Sequence, residues 1–569
     1  MSQISLLYKD TSGKHDVKFR NEGNACKINF IKDLMIEKVV RQICTDEKTV
    51  NIVTEEIAKL NDGLSDIKYR HEIINDFEKF PNLTGSLMDA VNYFRELEEE
   101  RQLQYKMSLN AGSIGVLGNS TLHRDKTPLF ELKHNVETLL KILKGIMMFE
   151  NALSEYDVQS EGLKKLKEYV KSCTSDESLK KLGDMLVPML TLGVSDTSYR
   201  FAVKVDKNFK MTDIAIIDLG VDAITENNIK KKALYEKFLK RKDGRKERIQ
   251  VPLTNKTSQR QIQEIIEKTV RHLSSYLRNV SNKIISPFNS LYKELQFYSF
   301  ASKMKSMLEE LKLPVCLPSM YQADKRIMEV HGLYDLALAT HFAELGIQPL
   351  DKKIVLNDVE INPQNGILVV TGPNQSGKTV FIRAVGIIQA FAQAGLPIPA
   401  ISANISLVDN IFSHFPAEEK KETQEGALGN ELSECSDIIE YATDKSLVLV
   451  NEPFISTGAR EASIIAGDML KALAIIGSRA VLVTHIYELA SKLNILNEET
   501  KNNCPMVSIV ACTENNDTAN DTKTMSGRRT YKMVKGEPCK YALAQDITKQ
   551  YGISYEQLMR RINYKNNSI

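Results

Sequence analysis

The sequence predicts a mixed fold: an α-helical core with lever-like helices and a small β insertion, followed by an α/β domain built around a phosphate-binding loop. Three observations carry this expectation. Gly372 to Thr379 reads GPNQSGKT, the GxxxxGK[ST] spacing, directly after the β-type run Ile367–Thr371 and before a helical pattern that begins at Val380. Apolar residues recur in steps of three and four from Ile262 to Leu295, the period of one helix face. Between Tyr199 and Ala223, Phe201, Val203 and Val205 alternate and Ile214–Ile217 is an apolar run, which reads as strands placed between helices.

Taken in order, residues 1–30 form a short mixed segment. Phe30–Leu103 has helical apolar spacing, broken at Leu60-Asn-Asp-Gly63 and at Pro81. Tyr93–Tyr105 is charged and reads as a solvated helix, and the glycine-containing stretch Asn110–Asn119 reads as a loop. From Leu129, positions 129, 132, 136, 139, 140, 143, 146 and 147 fall on one helical face that needs a packing partner. Lys230–Arg248 holds ten Lys or Arg against three acids, the densest basic stretch of the chain. That composition fits either a solvated helix tip or a phosphate-contacting surface, with Lys240, Arg241, Lys242, Arg245 and Lys246 as the candidate contacts. The pattern from Ser258 to about Glu310, if continuous, spans roughly 75 Å at the helical rise and passes Pro287, where a kink is expected. After Pro314 and Pro318 the composition becomes α/β in character.

Length and composition set bounds. A chain of 569 residues is expected to hold two to four domains, each large enough to bury its own core. With 75 Lys and Arg against 73 Asp and Glu, any affinity for nucleic acid comes from a local patch, not from the whole field. The eight cysteines have no CxxC pairing, which points to free thiols in a cytoplasmic protein. No apolar run reaches the length of a membrane span, so no membrane partner is expected.

The loop glycines let backbone N–H groups turn inward around phosphates, so Gly372, Pro373, Asn374, Gln375, Ser376, Gly377, Lys378 and Thr379 are the candidate nucleotide contacts. Lys378 supplies charge, and the Thr379 hydroxyl suits Mg²⁺. The pattern implies a bound nucleoside triphosphate. The apolar runs Ser446–Val450 and Arg479–Thr484 end in Asn451-Glu452 and in His485. In a parallel sheet such strand ends face one ligand site. Glu452 then orients or deprotonates a water, and His485 senses the γ-phosphate.

Together these residues resemble the ATPase domain of MutS mismatch-repair proteins, a branch of the ABC-type ATPases. The resemblance runs through Val355-Leu-Asn-Asp358, Thr371–Asn374, Ala392–Gly395 with Pro399-Ala400, Asp409–Ser413, Glu431–Glu434, Asn451-Glu452, Thr484-His485 with Glu488-Leu489, and Tyr531–Gly536. Upstream, Asp33-Leu34 and Leu64–Arg70 resemble the start of that family's helical core. The resemblance implies a helical core and lever over 31–325, with clamp arms at about 196–300, and an ABC-type ATPase domain over 326–569 with C-terminal dimerisation helices. It implies ATP and Mg²⁺ as cofactors, with Thr379, Asn451 (through water) and Glu452 around the metal. It also implies a homodimer with composite ATP sites, to which Gly426 and Ser433 contribute.

The departures from the family pattern matter equally. The family usually has Asp where this chain has Asn451, so an oxygen acceptor stays but its charge is lost and slow hydrolysis is expected. Its signature stretch begins with Ser where this chain has Gly426. A mismatch-reading domain with its Phe-x-Glu wedge has no room before residue 30. Phe94-Arg-Glu96 and Phe342-Ala-Glu344 match the letters but sit in helical patterns. No appended nuclease domain is expected after Ile569. The resemblance therefore implies an ATP-driven clamp on duplex, mismatched or branched DNA, acting in mismatch repair or recombination with a possible downstream repair protein. The alternative is a nucleotide-switched scaffold of the same descent that binds a protein partner instead of DNA.

Overall fold

The structure is a computed structural model and describes residues 4–10, 30–113, 128–175, 177, 200–205, 211–218, 256–416, 424–501, 503–513, 529–538 and 552–566. The basic stretch Lys230–Arg248, with Lys240, Arg241, Lys242, Arg245 and Lys246, lies outside the described residues.

In the first half the elements are α1 (Phe30–Asp33), α2 (Ile36–Ile43), α3 (Glu47–Ala58), α4 (Leu64–Lys79), α5 (Pro81–Ser113), α6 (Pro128–Ser154), α7 (Glu161–Ser175), β1 (Arg200–Val205), β2 (Met211–Asp218) and α8 (Lys256–Glu310). There follow β3 (Ser319–Tyr321), β4 (Met328–Leu333), α9 (Leu336–Glu344), β5 (Asn357–Ile361), β6 (Ile367–Thr371), α10 (Lys378–Ala394), β7 (Ser402–Ser406) and β8 (Ile411–His414). The last are α11 (Gln424–Tyr441), β9 (Leu447–Asn451), α12 (Ala459–Ile476), β10 (Arg479–Val483), α13 (Tyr487–Ala490), α14 (Leu493–Glu499), β11 (Met506–Thr513), β12 (Arg529–Lys535) and α15 (Tyr555–Asn566). The fold is mixed, as the sequence predicts.

The chain divides into two compact units. One comprises Met1–Thr84, Val158–Lys164 and Lys293–Ile569, the other Gly85–Asp157 and Lys165–Tyr292. The stretch 31–325, read from the sequence as one helical region, is thus shared between them.

Among its described residues the second unit is helical apart from β1 and β2, which pair antiparallel with Val203 opposite Ile214, the hairpin expected from the alternation. The segment Tyr93–Tyr105 differs from its reading as a solvated helix. Phe94 is fully buried and stacks on Phe288, with ring centroids 4.6 Å apart, while Phe149 lies 5.1 Å from Phe288. Aromatic area at one face outweighs the charged residues of the others. Asn110–Ser113 continues α5 where a loop was expected, and the rest of that stretch lies outside the described residues. On α6 the buried face is Leu132, Val136, Leu139, Ile142, Ile146 and Phe149, whereas Met147 stays exposed. The sequence period was right and its phase drifted along the helix. Asn135 Nδ2 donates to Ser274 Oγ at 2.6 Å, which satisfies a buried amide at the α6–α8 contact. Helix α8 is continuous, with Pro287 inside it.

The first unit holds a six-stranded sheet in the order β12-β11-β6-β10-β9-β8 and a four-stranded sheet in the order β3-β7-β4-β5. Strands β8, β9, β10, β6 and β11 run parallel, and only β12 is antiparallel to its neighbour. Strands β6, β9 and β10 are buried along their whole length, hence their unbroken apolar runs. Helix α10 lies against this sheet so closely that a Cβ on Gly386 would fall 2.6 Å from Leu34 Cδ2 and 2.7 Å from Leu449 Cδ1. At the C-terminal end of α10 the buried Arg70 of α4 donates to the Ala394 carbonyl at 2.7 Å, to the Leu7 carbonyl at 3.0 Å and to Glu56 at 2.7 Å. A cation there also suits the helix dipole. Midway, Arg383 donates to Asp335, the N-cap of α9, at 2.7 Å.

Candidate functional site

Residues 372–377 connect β6 to α10. Gly372 has φ 148° and Gly377 φ 91°, values that side chains rarely tolerate, and a Cβ on Gly372 would lie 2.7 Å from Ala511 Cβ. Gln375 takes the left-handed conformation as well, at φ 63°. The loop ends in the first turn of a 17-residue helix, where free N–H groups and the dipole favour an anion.

Lys378 is 4% exposed. Its Nζ donates to the carbonyls of Gly372 at 3.0 Å and Pro373 at 3.1 Å, and stands 3.6 Å from Glu452 Oε1. Burial pushes its pKa down, and the nearby Glu452 carboxylate only partly offsets that. Thr379 Oγ1 donates to Asn451 Oδ1 at 3.3 Å. Parallel pairing sets Val370, Val483 and Asn451 level with one another, so three strand ends arrive at one edge. Beyond that level, Glu452 adopts φ 47° and its N–H donates to the Val483 carbonyl at 2.8 Å. The left-handed turn directs the chain away from the sheet while the Glu452 carboxylate stays beside Lys378. His485 follows β10 at the same edge and is exposed.

Ser376 Oγ is buried and has no hydrogen-bond partner among the described residues. A buried hydroxyl left unpaired at a helix start, beside a lysine held only by carbonyls and a distant carboxylate, fits a phosphate ligand. The donor set around Thr379 and Asn451, both neutral oxygens, fits a hydrated Mg²⁺.

The structure therefore brings Lys378, Thr379, Asn451 and Glu452 together. Gly426 lies in the first turn of α11, Ser433 is exposed on the same helix, and no hydrogen bond joins Ser433 to the loop among the described residues. The Glu434 carboxylate on α11 contacts His414 Nδ1, 2.8 Å away, at the end of β8, and the neighbouring Ser413 donates to Asp33 at 2.7 Å.

Sequence reading missed two groups here. Arg529 Nη1 donates to Gln375 Oε1 at 3.0 Å. Asn357 donates to the Tyr531 carbonyl at 3.1 Å and accepts from the Met533 N–H at 2.8 Å, so one amide fastens β12 to β5. In each pair the partners lie far apart in sequence; Gln375, Asn357 and the Tyr531–Gly536 run were each visible singly, and nothing singled out Arg529 or joined the partners.

Residues 368–531 match the family described as MutS domain V, and residues 62–311 match the MutS2 N-terminal domain. This chain belongs to the MutS family. Its helical stretch matches the MutS2 branch by description, a finer placement than the residues alone suggested. A DNA mismatch repair protein MutS from Ehrlichia chaffeensis is 28% identical over 270 residues, covering 43% of this chain and 32% of that protein. The MutS of Chlorobium limicola is 35% identical over 151 residues, 26% of this chain and 17% of its own length. That of Prochlorococcus marinus is 36% identical over 153 residues, 27% and 16% respectively. The chain thus spans about a third or less of the MutS relatives it matches. No helix among the described residues is long and apolar enough to cross a membrane.

Proposed function

We propose that this chain is an ATP-dependent DNA-binding protein of the MutS type, a homodimeric ATPase clamp acting on duplex, mismatched or branched DNA in mismatch repair or recombination. The observation that carries the reading is the cluster of Lys378, Thr379, Asn451 and Glu452 on one strand-end edge beside a strained phosphate loop. When bound, ATP with Mg²⁺ supplies the reactive anhydride and the charge that the loop is shaped to hold. The loop N–H groups and Lys378 bind the phosphates. Thr379 and Asn451 orient the metal's water shell, and Glu452 positions a water and takes its proton.

Asn451 in place of a carboxylate makes turnover slow. Gly426 and Ser433 on α11 are assigned to the partner's site. The arms at about 196–300, with Lys240, Arg241, Lys242, Arg245 and Lys246, are assigned to DNA phosphates, and the C-terminal helices to dimerisation. His485 is assigned to the γ-phosphate.

The test is ATP turnover by the full chain with and without duplex, mismatched and four-way-junction DNA, alongside binding of those DNAs at two salt concentrations. Turnover that changes with DNA, and binding that weakens steeply with salt, is the expected result. ATP binding with no response to any DNA would replace the clamp by a nucleotide-switched scaffold that holds a protein partner.

A further inference from the structure

The edge strand β12 borders the phosphate loop and is tied in place from outside. The Asn357 amide holds it at two backbone positions, Tyr531 and Met533, and Lys535 pairs with Glu360 at 2.8 Å. The ring of Tyr531 lies against the loop: a Cβ on Gly377 would be 3.4 Å from Tyr531 Cδ1. Two residues before Tyr531, this anchored strand presents the half-buried Arg529 to Gln375, a loop residue. The guanidinium has no carboxylate partner among the described residues, and its one acceptor at the loop is a neutral amide oxygen.

We propose that Arg529 is a second phosphate-binding cation of the nucleotide site, parked on Gln375 until an anionic acceptor arrives. The inference rests on the nucleotide reading above and adds a residue to it. A guanidinium stays charged at any working pH, and its hydrogen bond to a phosphate oxygen is about twice as strong as one to a neutral amide. Exchange of Gln375 for phosphate is therefore favourable and needs only a side-chain movement, because Asn357 fixes the strand. Arg529 supplies charge from the end of the sheet opposite Glu452, so the phosphates are held by Lys378 from the loop and by Arg529 from the edge. Asn357 is the positioning residue for this contact.

The rival role for Arg529 is a brace that stiffens the loop through Gln375. The two roles separate because Arg529→Gln and Gln375→Ala break the same bond. Binding of fluorescently labelled ADP and ATP, with Mg²⁺, is measured for the full chain and for Lys378→Ala, Arg529→Gln, Arg529→Lys and Gln375→Ala. Phosphate binding predicts a loss of about tenfold or more for Arg529→Gln, partial recovery in Arg529→Lys, and a clearly smaller loss in Gln375→Ala, which keeps the loop backbone N–H that faces the phosphates and removes only the side-chain amide. Equal losses in Arg529→Gln and Gln375→Ala would reduce Arg529 to a brace, and unchanged affinity in Arg529→Gln would remove it from the site. Should Arg529→Gln fail to fold, Arg529→Lys and Gln375→Ala decide: weaker binding in Gln375→Ala than in Arg529→Lys overturns the proposal, and the reverse order supports it. A wild-type chain that binds neither nucleotide would instead sink the nucleotide reading itself. Wild-type binding that Lys378→Ala abolishes and Arg529→Gln leaves intact would sink the Arg529 assignment alone.

Discussion

Lys378 and Arg70 are both buried cations that face a glutamate, and the protein holds them in opposite ways. Arg70 directs its guanidinium at two carbonyls and at Glu56, all at 2.7 to 3.0 Å. Burial pushes its pKa down, but Glu56, reinforced by Tyr298 and Tyr8, more than offsets this and leaves it raised. Lys378 reaches only carbonyls of its own loop and stands 3.6 Å from Glu452, and burial leaves its pKa lowered. One site is complete as it stands, while the other is left short of negative charge. That difference separates an anchor from a binding site more clearly than burial or charge does alone.

The sharpest way to break the comparison is to remove the anchor. Arg70→Met is expected to cost about 3–5 kcal/mol, because the buried Glu56 loses its guanidinium and keeps only the Lys59 ammonium and the Tyr8 hydroxyl, and denaturant midpoints of the purified variant read the loss. Stability within error of wild type would show that Arg70 is as dispensable as a surface charge. Lys378→Ala should do the reverse: turnover falls about 100-fold or more while the unfolding midpoint holds or rises. A clear fall in that midpoint would make Lys378 a structural cation too.

A smaller effect comes from Glu294, close to the anchor. It accepts from Leu6 N–H at 2.5 Å and from Ser5 Oγ at 2.7 Å, and burial pushes its pKa up to about 7. The folded protein therefore binds this proton more tightly than the unfolded chain does. Its contribution is complete below the ordinary carboxylate range and is lost as pH rises through about 7, a change of about 3 kcal/mol at most. Glu294→Gln should flatten that slope, so that its unfolding midpoint gains on wild type between pH 5 and pH 8; parallel pH profiles would contradict the shift. The smallest effect expected is at Asn451. Asn451→Asp restores a carboxylate at the water shell and should raise Mg²⁺-dependent turnover several-fold, roughly 1 kcal/mol of barrier. An unchanged rate would mean that the lost charge does not limit the site.

The phosphate loop and strands β6, β9 and β10 were legible because parallel strands buried on both faces write continuous apolar runs, and their ends mark one edge. Glu452 could be picked out for the same reason. Arg70 could not: its acceptor at Ala394 is 324 residues away, and nothing local distinguishes a buried arginine from a solvated one. Arg529 and its pairing with Gln375, 154 residues away, were hidden in the same way. The error over Tyr93–Tyr105 arose because a charge count overlooked a single aromatic face, on which Phe94 meets Phe288. On α6 the period was readable, but its phase depends on which partner the helix meets, as the exposed Met147 shows.

The tight passage at Gly386 has a mechanical consequence. The Leu34 and Leu449 side-chain ends close on Gly386 from both sides, so a shift of α10 there has to displace both of them. Its 17 residues then behave as one stiff rod, about 25 Å long. The phosphate loop is fixed to one tip and the Arg70 guanidinium grips the other. A torque applied at the loop is therefore felt at the Ala394 carbonyl, and amide hydrogen exchange at Gly395 should slow when an anion fills the loop.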